Sequence, residues 1–228
     1  PKYIIITNKK KFEYLKKKEK KIKIFNNYDC FKKIFPKKID YVMSSIVGIN
    51  GLEPTFKIIK FTKKIVIANK ESIICAWNLI YKELSKHKTK FIPVDSEHFS
   101  IWYALRERKL FNLDNIYLTA SGGPLLHMNE KKYDNLKINQ IIKHPNWKMG
   151  PKISVDSSTM MNKVFEIIEA KKIFNLNYNQ LKIIIHPNSY VHAIIKFNDG
   201  MMKIVAHDTT MKIPIFNSLY TNQLKKIN

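Results

Sequence analysis

Short apolar runs rich in isoleucine alternate with lysine-rich or turn-forming segments along the chain. Runs of about four to eight residues with many β-branched and aromatic side chains predict β-strands. Stretches with apolar residues at helical spacing lie between several of these runs. The predicted strands are residues 1–8, 21–25 and 39–46, Ile65–Ala68, Phe91–Val94, Ile116–Thr119 and Lys152–Val155, with two further runs flanking the hairpin signal Asn198-Asp199-Gly200.

Helices are predicted between these strands, over Lys9–Lys21, from Pro54 onward, from Lys70 onward and after Asp156. Regular alternation of strand and helix indicates an α/β fold with a parallel sheet. We therefore expect a partial Rossmann-like parallel-sheet domain over residues 1–94. An α+β domain is expected over residues 95–228.

The helix after Asp156, with Ser157 or Ser158 as its N-cap, carries a narrow polar stripe. At about 100° per residue, Asn162, Glu166 and Glu169 fall on one side of it. The remaining circumference is apolar, which is typical of a buried helix. A buried carboxylate needs a cation, a strong donor or a proton, so Glu166 is a candidate metal ligand. The alternative is a polar stripe that faces solvent.

Composition limits the classes of function that fit. The 228 residues carry a net charge of +23 and are 45% hydrophobic, which indicates a globular protein. Lysine supplies nearly all the positive charge, and arginine, the main base-reading residue, occurs only at Arg106 and Arg108. We therefore expect phosphorylated small molecules as ligands, with no nucleic acid. No apolar run reaches the length of a membrane span, so no membrane partner is expected.

Two cysteines, Cys30 and Cys75, lack metal-site spacing and indicate a reducing compartment. With no targeting signal visible, we expect a bacterial cytoplasm, and a plastid-type organelle stays open as an alternative. The chain begins with proline and ends without a capping element, which favours a piece of a longer protein.

Polar side chains follow several predicted strands, where ligands of open α/β sheets bind. Asn69, Lys70 and Glu71 follow one strand, and ordinary helix capping is the alternative explanation for them. Asp95 and Glu97 follow the next, and in an extended backbone they would point the same way. Converging carboxylates need a cation, and hard oxygen ligands suit Mg²⁺ or Mn²⁺. An N-capping Asp followed by a Glu in the first helical turn would have the same sequence.

Two loops add candidate binding groups. Ser121-Gly122-Gly123 follows a strand and offers a hydroxyl and backbone N–H groups to a phosphate, or forms a plain turn. Trp147 lies in the loop 144–151, where it is a candidate lid over a substrate or an anchor of the loop to the core. Ser189 and His192 lie near the start of a later strand, and His192 on its own is best explained as structural.

Taken in order, the segments NKES, PVDSEH, SGGP, HPNWKMGPKISVDSSTMMNKVFEIIEA and IHPNSYVH strongly resemble the 1-deoxy-D-xylulose 5-phosphate reductoisomerase family. The resemblance runs from about residue 39 onward. It implies NADPH-dependent isomerisation and reduction of 1-deoxy-D-xylulose 5-phosphate to 2-C-methyl-D-erythritol 4-phosphate, with Mn²⁺ or Mg²⁺, or Co²⁺ as an alternative to them, as Lewis acid. It also implies a homodimer. The domains would be the C-terminal part of an NADPH-binding domain and a catalytic domain.

The resemblance assigns roles to matching positions. Asp95, Glu97 and Glu166 resemble the metal ligands, and with Lys163 they form the implied catalytic set. The implied substrate contacts are Lys70, Ser96, Glu97, Ser121, His144, Ser157, Asn162, Lys163 and Glu166. Asn69, Glu71 and Gly150 resemble cofactor contacts, and Trp147 with Met149 resembles the flap over the substrate.

Three departures from the family pattern shape the expectations. A glycine-rich phosphate-binding turn and a helical C-terminal domain are missing from this chain, so we expect weak NADPH affinity and little activity from it alone. Val164 replaces the usual glycine beside Lys163 and is expected to crowd the site. The alternative function is a catalytically incomplete remnant that only binds metal and sugar phosphate.

Overall fold

The computed structural model describes residues 1–106, 112–147, 150–221 and 225–227. Arg108 and Met149 lie outside the described residues. The chain divides into two compact units, one of residues 1–72 and 78–91 and the other of residues 73–77 and 92–228.

The first unit contains two small sheets. Its elements are β1 (Tyr3–Ile5), α1 (Lys9–Lys18), β2 (Lys23–Phe25), α2 (Phe31–Ile34), β3 (Val42–Ser44), α3 (Leu52–Ile58), β4 (Lys64–Ile67) and most of α4 (Lys70–Lys86). Strands β1 and β2 pair in parallel, as do β3 and β4, and β5 (Lys90–Pro93) is the other neighbour of β4. The parallel pairing confirms the α/β prediction.

The second unit is built on a four-stranded mixed sheet in the order β7-β6-β8-β9. Its strands are β6 (Leu113–Ala120), β7 (Leu181–Ile185), β8 (Val191–Phe197) and β9 (Met202–Ala206). Strand β7 runs parallel to β6, whereas β8 is antiparallel to both β6 and β9. The predicted hairpin is confirmed, since β8 and β9 flank Gly200 at φ 83°.

Five helices accompany this sheet among the described residues. They are α5 (Ser96–Leu105), α6 (Ile138–Ile141), α7 (Pro151–Ser158), α8 (Met161–Phe174) and α9 (Lys212–Leu219). Helices α5 and α8 share one hydrophobic core with the strands, to which Ile101, Phe174 and Ile195 contribute. Among the described residues, no helix is both long and apolar enough to cross a membrane.

The predicted strand Lys152–Val155 is wrong, because these residues lie in helix α7. Pro151 follows Gly150 at the first helical position, where its fixed φ favours a helix start. A salt bridge of 2.8 Å between Lys152 and Asp156 then joins successive turns. An alternation of polarity over only four residues is compatible with a strand and with a helix. The helix-start signals at Gly150 and Pro151 and the salt bridge favour the helix.

Helix α8 also begins later than predicted. Neither Ser157 nor Ser158 caps it, because Met160, in the left-handed region at φ 60°, separates it from α7. The helix is not buried all round: Val164 is 47% exposed, so it does not crowd the residues on the opposite side. The polar stripe, in contrast, faces inward, since Glu166 and Glu169 are each only 2% exposed.

Candidate active site

Three carboxylates that are distant in the sequence converge in the second unit. Oxygen atoms of Asp95, Glu97 and Glu166 lie within 4.8 Å of one another. Glu97 lies in the first turn of α5 and Asp95 just before it, so the two do not alternate along a strand as expected. Asp95 occupies the N-cap position, yet its side chain makes no capping hydrogen bond. Ordinary helix capping therefore does not explain this aspartate.

Lys163 lies against two of these carboxylates. Its Nζ is 3.3 Å from Oε1 of Glu97 and also donates to Oε2 of Glu166. The lysine is 5% exposed, so these contacts are shielded from water. Burial opposes its charge, but Glu166, Glu97 and, to a smaller extent, Asp95 raise the pKa of Lys163 above its ordinary value. The ammonium group is therefore charged within the cluster.

Neighbouring polar side chains orient the same carboxylates. The Ser96 hydroxyl donates to Oε2 of Glu97 at 2.5 Å, and the Asn162 amide donates to Oε1 of Glu166. Each glutamate is thus held by one neutral donor and by Lys163. Such fixed donors limit the rotation of a carboxylate and set the direction of its lone pairs.

A second group shares Asp95 with the first, and its other two members, the buried His98 and Glu169, were not assigned a role from the sequence. One atom each of Asp95, His98 and Glu169 lie within 4.8 Å of one another. Nδ1 of His98 is 3.9 Å from Oε2 of Glu169, and its Nε2 is 2.9 Å from the main-chain oxygen of Glu166. The polar stripe of α8 and the histidine after Glu97 were the available signals, but only folding brings them together.

The donor set of the first group fits a divalent cation. Asp95, Glu97 and Glu166 offer only carboxylate oxygens, the ligands that Mg²⁺ and Mn²⁺ prefer. Their spacing brings them within reach of one ion. Lys163 contributes one positive charge and the three carboxylates contribute three negative charges. The cluster is therefore negative enough to bind a dication. The residues present therefore fit the predicted metal.

The loop after β6 and the end of α7 lie in contact. Gly122 and Gly123 both have positive φ, at 83° and 71°. A Cβ on Gly123 would come within 2.6 Å of the main-chain oxygen of Ser157, so glycine is needed there. The Ser121 hydroxyl accepts a hydrogen bond from the N–H of Gly123 at 3.1 Å. The structure thus places Ser121 and Ser157, two predicted substrate contacts, on adjoining segments.

His144 fastens the loop that follows it to Ser121. Its Nδ1 accepts from the N–H groups of Asn146, at 3.1 Å, and Trp147, at 3.0 Å. Because Nδ1 accepts, Nε2 carries the hydrogen and donates to the Ser121 hydroxyl over 2.9 Å. Burial lowers the pKa of His144, in keeping with a neutral ring. The imidazole is therefore a structural part of this loop as well as a predicted substrate contact.

The same loop is also tied to the start of β8. The Asn146 amide donates to the Ser189 hydroxyl at 3.1 Å. Trp147 packs edge-on against His192, with ring centroids 5.9 Å apart, and His192 stacks on His207 at 3.8 Å. Burial lowers the pKa of His192. Trp147 thus anchors its loop in this structure, and the predicted flap partner Met149 lies outside the described residues.

The predicted cofactor contacts are divided between the units. Asn69 is buried in the first unit, where it caps α4 by accepting from the N–H of Ser72 at 2.6 Å. Its amide also donates to the main-chain oxygens of Ile46 and Gly48. Lys70 and Glu71 follow it in the first turn of α4. Gly150 is in the second unit, exposed at the N-cap of α7.

Comparison with known proteins agrees with this geometry. A family model described as 1-deoxy-D-xylulose 5-phosphate reductoisomerase matches residues 1–77, and one for the C-terminal domain of that enzyme matches residues 91–174. The 1-deoxy-D-xylulose 5-phosphate reductoisomerase of Pelagibacter ubique is 60% identical over 99% of this chain. The chain belongs to the 1-deoxy-D-xylulose 5-phosphate reductoisomerase family. It spans 59% of the length of the Pelagibacter relative.

Further members of the reductoisomerase family are similar in sequence and in structure. The enzyme of Wolbachia pipientis is 43% identical over 83% of this chain and 49% of its own length. A crystal structure of a reductoisomerase in complex with NADPH, fosmidomycin and magnesium superposes with a TM-score of 0.89 at 34% identity. That alignment covers 99% of this chain and 59% of the solved one. The Zymomonas mobilis enzyme in complex with NADPH gives a TM-score of 0.85 at 28% identity.

Proposed function

We propose that this protein catalyses the NADPH-dependent isomerisation and reduction of 1-deoxy-D-xylulose 5-phosphate to 2-C-methyl-D-erythritol 4-phosphate. The observation that carries the proposal is the convergence of Asp95, Glu97 and Glu166 beside the buried Lys163. Membership of the reductoisomerase family indicates which reaction to propose, and the converging carboxylates indicate how the protein would hold the metal for it. The remnant alternative is not favoured, because the predicted metal ligands are all present and converge.

Asp95, Glu97 and Glu166 would hold a divalent cation, Mg²⁺ or Mn²⁺, in this reaction. When bound, the cation would act as a Lewis acid on the carbonyl and hydroxyl oxygens of the substrate, while NADPH would supply a hydride. The protein's own contribution is to fix the carboxylates before the substrate arrives. Donation from Ser96 to Glu97 and from Asn162 to Glu166 supports this positioning.

We propose that the substrate phosphate binds near Ser121, Ser157, Asn162 and Lys163. Binding energy from a phosphate that does not react can orient the sugar for the chemical step. The contact between the turn at Gly123 and the end of α7 supports the proposal, because it brings two of the hydroxyl-bearing segments together. Ser96, His144 and Lys70 would contact the sugar.

The cofactor would be held by Asn69, Glu71 and Gly150. We propose residues 1–94 as part of the NADPH-binding domain and residues 95–228 as the catalytic region. Parallel strands β3 and β4, followed by the capped helix α4, support the first assignment, since ligands of such sheets bind beyond the carboxyl ends of the strands.

We further propose a homodimer in the cytoplasm. The edge strands of the second unit expose apolar side chains, with Ile184 on β7 39% exposed and Ile204 on β9 62% exposed, and a second copy could cover such a surface. Cys30 and Cys75 are free thiols, as expected in a reducing compartment. Measurement of the molar mass in solution by light scattering tests the dimer.

The proposed activity is tested with protein made from the complete gene. NADPH oxidation is followed with 1-deoxy-D-xylulose 5-phosphate and Mn²⁺, and the product is identified by mass spectrometry. We expect Glu166→Gln to lower turnover by at least about a hundredfold, since it removes a metal ligand, and Glu13→Gln on the exposed face of α1 to leave it unchanged. No NADPH oxidation by the unchanged protein would refute the proposal.

A further inference from the structure

We propose that Lys163 is a placeholder for the divalent cation: its ammonium group holds the carboxylates together and competes with the cation for them. A phosphate that draws Lys163 away would then raise cation affinity. The inference rests on the proposed function and adds to it a coupling between the metal and phosphate positions. It is carried by the contacts of Lys163 with Glu97 and Glu166.

The placeholder role follows from which atoms Lys163 occupies. Its Nζ bridges Glu97, on α5, and Glu166, on α8, two residues that are 69 positions apart in the chain. These are two of the three carboxylates whose oxygens converge. All the groups concerned are buried or nearly so, with the side chains of Lys163, Glu166 and Glu97 being 6%, 2% and 13% exposed. Water therefore contributes little to screening the repulsion between the carboxylates, and the charge of the lysine offsets it instead.

Competition follows from charge. A dication between the carboxylates would lie within a few ångströms of the ammonium group, where like charges repel and a buried environment screens them weakly. Oxygen lone pairs that accept from Nζ are also less available to a metal. Without Lys163, three carboxylates would repel one another, and a dication would relieve that repulsion. Both effects mean that removing the lysine charge tightens cation binding.

Phosphate gives the ammonium group another set of oxygen partners. In the pocket proposed above, Lys163 would be shared between the carboxylates and the phosphate. Each contact made with phosphate weakens the hold of the lysine on Glu97 and Glu166. Since coupling between two ligands is reciprocal, the cation must then raise phosphate affinity by the same factor. Lys163 would thus favour joint binding of metal and phosphorylated sugar over binding of either one alone.

The experiment measures Mn²⁺ affinity without any turnover, by the loss of the electron paramagnetic resonance signal of free Mn²⁺. We expect Lys163→Gln to bind Mn²⁺ at least about tenfold more tightly than the unchanged protein, because a buried like charge is gone. Lys172→Gln, about two and a half turns further along α8, is the matched control for a lost charge and should leave the affinity unchanged. Unchanged or weaker binding by Lys163→Gln would overturn the proposal.

The deciding part of a second measurement uses the unchanged protein. Inorganic phosphate is added to the unchanged protein. The Mn²⁺ that phosphate binds by itself is measured in samples without protein and subtracted. We expect phosphate to tighten Mn²⁺ binding severalfold, and the gain to be smaller in Lys163→Gln. Absence of any gain in the unchanged protein overturns the coupling. If Mn²⁺ binding is no stronger than in Glu166→Gln, the metal centre of the proposed function fails as well, which separates the two failures.

Discussion

Nε2 of His98 lies 2.9 Å from the main-chain carbonyl oxygen of Glu166. A carbonyl oxygen only accepts hydrogen bonds, so the ring nitrogen carries the hydrogen and donates it. The bond joins the first turn of α5 to the second turn of α8, and these two helices bear two of the proposed metal ligands. His98 is fully buried, so water cannot replace the contact. The histidine therefore holds the backbone that carries Glu166, one of the proposed metal ligands.

Two replacements of His98 distinguish the effect of its hydrogen bond from the effect of its side-chain volume. We expect His98→Leu to weaken Mn²⁺ binding by about tenfold, as for other groups that support metal ligands, and to lower the free energy of unfolding by about 1–3 kcal/mol. His98→Gln, whose amide can donate to the same oxygen, should recover most of both losses. Mn²⁺ titration and denaturant unfolding measure them. Equal Mn²⁺ affinity in the Leu variant and the unchanged protein would contradict the positioning role.

Gly123 should be far less tolerant of a side chain than Gly200, although both have positive φ. A Cβ at Gly123 would meet the main-chain oxygen of Ser157 at 2.6 Å, whereas one at Gly200 would meet nothing within 4 Å. The backbone strain is thus shared, and only the close contact differs. We expect Gly123→Ala to lower the free energy of unfolding by about 1–3 kcal/mol more than Gly200→Ala does. Denaturant unfolding of both variants measures the difference, and equal losses would show that the contact relaxes freely.

The helix α8 shows how far the sequence alone could be taken. Its stripe of Asn162, Glu166 and Glu169 was predicted from helical spacing, which is a local property. Whether the stripe faced solvent or the core was open, because that depends on what packs against it. The structure buries it and leaves Val164 exposed. Hydrophobicity alone would turn the polar stripe towards solvent. The structure differs because paired charges, rather than apolar side chains, occupy the inner face of α8 near Lys163.

Contacts between distant segments were out of reach of local reasoning. The period-two argument brought Asp95 and Glu97 together for the wrong reason, since Glu97 lies in a helix. The contact of Lys163 with Glu97 depends on two helices packing on one sheet, which no local pattern encodes. The strand predicted at Lys152–Val155 failed because alternation over four residues does not distinguish strand from helix. Longer strands with turn signals, such as β6 and the β8–β9 hairpin, were predictable.

Asn69 should be important for the stability of the first unit, whatever its role toward the cofactor. Its side chain accepts from the N–H of Ser72 and donates to the main-chain oxygens of Ile46, at 2.5 Å, and Gly48, at 2.7 Å. Asn69→Ala removes the cap and leaves these groups unsatisfied, so we expect a loss of about 2–4 kcal/mol in unfolding free energy. Asn69→Ser keeps only the cap and should recover about 1 kcal/mol. Full recovery by Ser would mean that the two donated bonds contribute nothing.

Acid should loosen the loop that His144 holds. Burial places the pKa of this histidine below its ordinary value of 6.5, and Nδ1 must stay unprotonated to accept from Asn146 and Trp147. The folded state therefore binds the proton less readily than the unfolded state does. The stabilisation is complete above the ordinary pKa and is lost as the pH falls from there through the lower folded-state value. A protonated ring would keep its bond to Ser121 but lose both accepted bonds.

Replacing His144 by Asn tests this dependence. The side-chain oxygen of asparagine can accept from the same N–H groups and does not titrate, so His144→Asn should lose less stability than the unchanged protein between pH 7.5 and pH 5. His127→Asn, at an exposed position, should leave the pH dependence as it is. Unfolding free energies from denaturant titrations across this range give the three slopes. If His144→Asn follows the unchanged protein at every pH, protonation of other groups, such as the buried His192, governs the acid response instead.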